Sequence, residues 1–257
     1  MQATPTTRSA SQRVQAACAS DVGRVRQNNE DNCLAALDRN LLIVSDGMGG
    51  HQAGELASKA MVTVLPQLIE RRLASLGSAR NRVIELALRE AILEFSQRLR
   101  AESAGQPGLK GMGATVALVL LRGQEAHLAH MGDSRIYLFR QGRLTQLTED
   151  HSIVALLLKH GDITPEQVQD HPARGRLSRF VGMEGEVYPD VQTIKLQDGD
   201  QLLLCTDGLT NMITDEHIAQ VLQANAEPGT ACQALIAAAN AAGGRDNVTT
   251  LVVNWGE

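Results

Sequence analysis

LLIVSDGMGGHQAGE, residues 41–55, opens on five apolar or small residues, stops at Asp46 and then runs through three glycines. Leu41, Leu42, Ile43 and Val44 are apolar at every position, so a strand here needs cover on both faces. The period then changes. Ala53, Leu56, Ala57, Ala60, Met61, Val64, Leu65, Leu68 and Ile69 recur at steps of three and one, the apolar stripe of a helix. Pro66 lies inside that stripe and predicts a kink or break, since it has no N–H to give and its ring crowds the preceding turn. A doubly covered strand leading into a covering helix sets a layered architecture. It also leaves a carboxylate at a sheet edge.

Working outward, short strands are expected at 14–20 and 32–37, flanking the polar loop DVGRVRQNNEDN. Ile84, Ala87, Leu88, Ala91, Ile92, Phe95 and Leu99 define a second helix, and AGQPGLKG at 104–111 a loop. From 114 to 147 the pattern becomes ATVALVLL, EAHLAHM, SRIYLF and RLTQL, read as an antiparallel meander. Residues 150–186 are more polar and include HPARGRLSRFVG, which suits an inserted lid. Strands return at 187–195 and 201–206, helices at 215–223 and 230–241, and NVTTLVVNW closes as a strand. No solenoid-period repeat or composition break divides the chain. The order predicts one α+β domain over 14–257, with sheets covered by helices.

The chain has 257 residues, enough for a large core; 43% are apolar but only 2% aromatic, so Leu, Val, Ala and Ile must fill it. The net charge of −5 gives no footprint for nucleic acid or an anionic membrane, and no apolar run reaches a membrane span. MQATPTTRSASQR lacks the apolar core of a secretory signal, and residues 1–13 are expected to be a disordered tail. Cys18, Cys33, Cys205 and Cys232 lie far apart, as small buried residues of a reducing cytoplasm do. A cytoplasmic monomer is expected.

The device at Asp46 recurs. LLLCTDGLT at 202–210 ends on Asp207-Gly208, HLAHMGDSR at 127–135 delivers Asp133, and GGRDNVTT carries Asp246. Any one Asp-Gly alone reads as a hairpin turn. Several strand edges ending on acids, with Glu30-Asp31 beside them, suggest convergence. Close carboxylates would repel by roughly 4 kcal/mol at 4 Å and an effective dielectric near 20, so such a cluster needs cations. Oxygen-only ligands favour Mg²⁺ or Mn²⁺ over zinc, and glycine beside Asp46 leaves backbone open to a ligand. His127 and His130, three apart in a strand, point to opposite faces and cannot chelate together.

DVGRVRQNNEDN, VSDGMGGHQAGE, GMGATV, HMGDSRIY, CTDGLT and GGRDNVT stand in the order and spacing of one family. From about residue 14 to 254 the chain resembles the metal-dependent serine/threonine protein phosphatases (PPM family, type 2C) in their compact bacterial form. The resemblance implies a four-layer αββα sandwich of two antiparallel sheets covered by helices, with a flap at about 150–186. It implies that Asp46 bridges two Mn²⁺ or Mg²⁺ ions and that the Gly47 carbonyl ligates one of them. Asp207 and Asp246 would complete the first ion's shell, and Glu30 would reach the second. Asp133, with Asp207, would hold a third and weaker ion. Arg26 would grip the substrate phosphate, and Asp31 and Asn247 would support the ligands. Gly175 stands in the flap where bacterial relatives often carry Asn. Met48 stands where animal relatives have a proton-donating histidine, which leaves a water on the third ion, or His51, to supply the proton.

The implied reaction is hydrolysis of phosphoserine and phosphothreonine in proteins by hydroxide activated at a dinuclear centre, with catalysis by Arg26, Asp46 and Asp207 and no phosphoenzyme. The implied partners are phosphoproteins, among them a bacterial serine/threonine kinase and its targets in signalling. A haloacid-dehalogenase-type phosphatase would need an Asp two residues before Asp46, and Val44 stands there. A nucleotide-binding reading of GMGGHQAG lacks its own strand–glycine–helix context. The remaining alternative is a non-catalytic phosphoprotein-binding pseudophosphatase, whose sign would be lost acids. All five, Glu30, Asp46, Asp133, Asp207 and Asp246, are present.

Overall fold

The computed structural model describes residues 2–3, 6–9, 14–74, 76, 77 and 80–256. Its strands begin with β1 (Gln2–Ala3), β2 (Thr7–Ser9), β3 (Val14–Asp21), β4 (Asp31–Ala36) and β5 (Leu41–Met48). Helices α1 (His51–Thr63), α2 (Leu65–Leu73) and α3 (Asn81–Ser103) follow. Strands β6 (Gly113–Ala114), β7 (Val116–Arg122), β8 (Glu125–Met131), β9 (Arg135–Arg140) and β10 (Arg143–Gln146) precede helix α4 (Ile153–His160). The chain ends with β11 (Asp190–Lys195), β12 (Gln201–Cys205), α5 (Asp207–Thr210), α6 (Asp215–Ala224), α7 (Pro228–Ala241) and β13 (Val248–Trp255).

Among the described residues the strands form two antiparallel sheets. One runs β1-β3-β13-β12-β9-β10 with β2 also on β3; the other runs β11-β8-β7-β5-β4 with β6 on β5. The period of two along each strand divides the apolar residues between two faces. Leu41 and Ile43 turn toward α1, α2 and α3, while Leu42 and Val44 turn toward the other sheet. Leu202 and Leu204 meet them there, whereas Leu203 and Cys205 pack under α6 and α7. Three apolar layers between four structural layers make the αββα sandwich. The continuous apolar run at 41–44 is therefore explained by burial on both sides.

The break expected at Pro66 is present, and several other expectations need adjustment. The stripe over 53–69 is two helices, α1 and α2, meeting at Val64, so that Pro66 sits in the first turn of α2 where its missing N–H costs nothing. The meander is split. β7 and β8 pair in one sheet, β9 and β10 in the other, and the chain changes sheets across Gly132–Ser134. A sequence pattern registers each strand's period but not which sheet its edge joins. Within the expected tail, Gln2–Ala3 and Thr7–Ser9 pair with β3, and the other residues of 1–13 save Thr6 lie outside the described residues. The lid over 150–186 contains α4, is closed on itself by the bridge Ser152–Leu177 and rejoins the body through the bridge Ala114–Val181. None of the four cysteines forms a disulfide; Cys18, Cys205 and Cys232 are buried and Cys33 is half-buried.

Candidate active site

The acids flagged by sequence come together at one end of the sandwich. Asp46 lies near the end of β5, directly across the ladder from Asp31 on β4. Asp207 opens α5 just after β12, Asp246 precedes β13, and Asp133 sits where the chain changes sheets. With Arg26, Glu30, Gly47, Asn247 and the flap residues Gly175, Leu177 and Phe180, four of these aspartates line a cleft of about 460 Å³. Met48 lines it too. Asp31 lies behind Asp46, buried, rather than on the cleft wall. The side chain of His51 lies outside what the structure describes.

Backbone contacts hold this arrangement. Thr115 ties β5 to the sheet switch: the Asp46 N–H donates to its Oγ1 at 2.9 Å, its own N–H donates to the Asp46 carbonyl at 2.8 Å, and its hydroxyl hydrogen-bonds the Ser134 hydroxyl at 2.6 Å. Gly132 turns with φ +116° directly against Thr115, whose side chain a Cβ would strike at 2.6 Å. Gly47 backs onto Gly54 of α1 so closely that a Cβ on Gly47 would enter the Gly54 carbonyl, and a Cβ on Gly54 would enter the Glu30 carboxylate. Asn247 organises the loop that carries Arg26 and Glu30. Its Oδ1 accepts from the Glu30 N–H at 2.9 Å, and its Nδ2 donates to the carbonyls of Val22 and Asn28 at 3.0 and 2.9 Å.

The electrostatics are those of crowded acids. Burial, then Asp31, Asp207, Asp133 and Asp246, push the Asp46 carboxyl well above the usual range. Asp133 is pushed up likewise, by burial and then Asp207, while Asp207 rises to about 6 through burial and then Asp246. Asp31 rises to about 7, chiefly by burial, although Thr206 Oγ1 donates to its Oδ2 at 2.8 Å. Its Oδ1 is buried without a hydrogen-bond partner. A cleft wall whose ionisable donors are carboxylates, with a buried carboxyl oxygen of Asp31 left without a partner behind it, fits hard divalent cations. Arg26 faces the cleft, and its Nη2 donates to Asp246 Oδ2 at 2.7 Å.

The protein phosphatase 2C family model matches residues 23–240. The chain belongs to the protein phosphatase 2C family. It is 37% identical over 236 residues to the serine/threonine phosphatase stp of Listeria welshimeri, covering 91% of this chain and 92% of that one. Among solved structures, the serine/threonine phosphatase of S. agalactiae superposes with a TM-score of 0.86 at 34% identity, covering 94% of this phosphatase and 99% of that chain. The catalytic domain of serine/threonine protein phosphatase PstP, solved in complex with two manganese ions, superposes with a TM-score of 0.75 at 36% identity, covering 95% and 99%.

Sequence motifs missed part of the phosphatase's site. Thr115 lies inside a quoted motif, GMGATV, yet its joining role depends on a contact with Ser134, nineteen residues away. Phe180 and Leu177 reach the cleft only because the flap folds back. His127 and His130 do face opposite ways: His127 Nδ1 pairs with Thr193 Oγ1 at 2.8 Å, while His130 stacks on His151 with centroids 4.3 Å apart. Among the described residues, His130, His151 and Asp190 are the one trio of His, Cys, Asp or Glu whose ligand atoms all lie within 4.8 Å. That trio is not part of the cleft lining.

Proposed function

We propose that the phosphatase hydrolyses phosphoserine and phosphothreonine in cytoplasmic proteins at this cleft, using two Mn²⁺ or Mg²⁺ ions and reversing a bacterial serine/threonine kinase. The observation that carries this reading is the meeting of Asp46, Asp133, Asp207, Asp246 and Arg26, from five separate segments, on the walls of one cleft. Asp46, the Gly47 carbonyl, Asp207, Asp246 and Glu30 are the residues to hold the two ions, and Asp133 with Asp207 a third. When bound, such ions lower the pKa of water and neutralise phosphoryl charge. The chain's own contribution is to fix the ligands on rigid strand ends and to present a cation to the phosphate. Arg26 does the latter, exchanging its partner Asp246 for phosphoryl oxygens. The cysteines offer no nucleophile, since Cys205 and Cys232 are buried with their thiols held up to about 12, mainly by burial.

A polypeptide substrate suits the surroundings. Phe180 also walls a neighbouring groove of about 720 Å³ that passes Arg100, Lys110, Met112 and Met183, room for chain flanking a phosphoresidue. A non-catalytic phosphoprotein binder would not need to retain every acid of the cleft. The test is phosphate release from phosphoserine, phosphothreonine and phosphotyrosine peptides with Mn²⁺ or with excess chelator. Release from the first two with Mn²⁺, none in chelator, and a loss of about 10³-fold or more in kcat for Asp46→Ala or Asp207→Ala are expected. Turnover by chelated protein would overturn the metal-dependent reading. Phosphopeptide binding without turnover would favour the binder.

A further inference from the structure

His151 stands at the back of the turn that delivers Asp133. Its N–H donates to the Gly132 carbonyl at 2.9 Å, and the Gly132 N–H donates to its ring Nδ1 at 3.2 Å. Because Nδ1 accepts, the ring proton is on Nε2, which donates to Asp190 Oδ2 at 3.0 Å. Asp190 is held in turn by Arg179 of the flap, whose Nη1 and Nη2 donate to its two oxygens at 2.9 and 3.2 Å. The flap touches the backbone as well, since the Ser178 N–H donates to the His151 carbonyl at 2.9 Å. The neighbouring Asp150 grips the far side of the same turn, accepting two bonds from Arg135 at 2.8 and 2.7 Å.

The spacing of His130, His151 and Asp190 suits a metal, but the polarity does not. A metal-bound imidazole donates the proton on its other nitrogen. For His151 ligating through Nε2, that other nitrogen is Nδ1, which already faces a donor. His151 is buried, and burial, then His130, hold its imidazole down to about 4, so it is neutral.

We propose that His151, at the outgoing end of the flap, is a positioning residue for Asp133, gripping the Gly132 amide with Nδ1 and linked through Nε2, Asp190 and Arg179 to the flap's returning limb. Flap displacement would thereby alter the seating of Asp133 in the cleft. The proposal rests on the reading of Asp133 as a cation ligand.

Asparagine and glutamine separate the two halves of the grip. In His151→Asn the amide oxygen takes the place of Nδ1 and can still accept from Gly132. In His151→Gln the amide nitrogen takes the place of Nε2 and can still donate to Asp190, but the Gly132 amide loses its acceptor. Amide hydrogen exchange across 131–134 and calorimetric Mn²⁺ titration are the readouts, with thermal melting as a check on folding. His151→Gln is expected to speed exchange at Gly132 about fivefold and to weaken the weakest Mn²⁺ event about 10- to 100-fold. His151→Asn should restore both most of the way. Asp190→Asn, which leaves an acceptor for Nε2–H, should disturb exchange less than Asp190→Leu. Identical behaviour of His151→Asn and His151→Gln, or unchanged exchange at 131–134 in both, would overturn the proposal. An Asp133→Ala variant that kept every Mn²⁺ event would overturn the ligand reading of Asp133 instead, and the exchange rates would still decide the grip.

Discussion

Arg26 shows how one side chain can serve two partners. It is exposed, on a loop held by Asn247, and its guanidinium lies against Asp246. An exposed ion pair of this kind contributes little to stability, about 0–1 kcal/mol, so its placement at the cleft mouth is better explained by a ligand. Arg26→Ala is expected to raise KM for a phosphopeptide at least about tenfold with a smaller fall in kcat, and to leave Mn²⁺ affinity unweakened, because a competitor for Asp246 is removed. Steady-state kinetics with a calorimetric titration checks both, and an unchanged KM would assign the arginine elsewhere. At this scale the acids and Arg26 were legible, since each stands in a motif with fixed neighbours. Thr115, His151 and Phe180 were not legible as site residues, because their partners are remote in sequence.

At the scale of elements, the site depends on how closely β5 and α1 approach. Gly47 and Gly54 face each other with no space for a Cβ, and the Gly47 N–H donates to the Glu30 carbonyl at 3.1 Å. Gly47→Ala must therefore part the strand end from the helix and shift Glu30 with it. A loss of about 1–3 kcal/mol in stability is expected, the usual cost of overpacking, together with loss of most activity. Gly108, with no atom within 4 Å of a built Cβ, is the control, and Gly108→Ala should change neither. Denaturant melts and phosphopeptide turnover compare the two. Equal effects would show that close approach is not the reason for glycine at 47. The sequence marked the glycine beside Asp46 as permitting exposed backbone; the fold adds a second reason, a helix packed against the strand at Gly54.

Across the whole molecule, the acid cluster predicts how stability answers to pH and metal. Asp31 and Asp207 titrate at about 7 and about 6 in the folded protein, and Asp46 and Asp133 well above the usual range. In the unfolded chain such groups titrate near ~3.9. Raised acids bind extra protons when folded, so the stability they contribute is fully present below about pH 4 and is lost as pH rises through about 6 to 7. Glu94 and Asp190, lowered to about 2, act in the opposite direction but finish titrating below that window, whereas the buried His127, His130 and His151, also lowered, oppose the acids until pH passes the unfolded imidazole value of about 6.5. Chelated protein should melt at falling temperature from about pH 6.5, where the histidines no longer oppose the acids, to about pH 8, and saturating Mn²⁺ should flatten that slope. Differential scanning calorimetry at both conditions decides it; a flat or rising Tm in chelator would show that the carboxylates do not strain the fold.

Sequence by itself determined the layered class, the doubly covered strand at 41–44, the helix break at Pro66 and the identity of the acids, because periodicity and motif spacing are local properties. Tertiary structure alone decided that the strands of 116–146 divide between two sheets, that Asp133 rides on the crossing, and that residues 2–3 and 7–9 pair with β3. It also decided that Arg179, Asp190, His151 and Gly132 form one hydrogen-bonded chain behind the turn that carries Asp133. Strand period says which face a side chain takes, but sheet membership depends on hydrogen-bond partners distant in the chain, and so does the meeting of carboxylates from separate segments in one cleft.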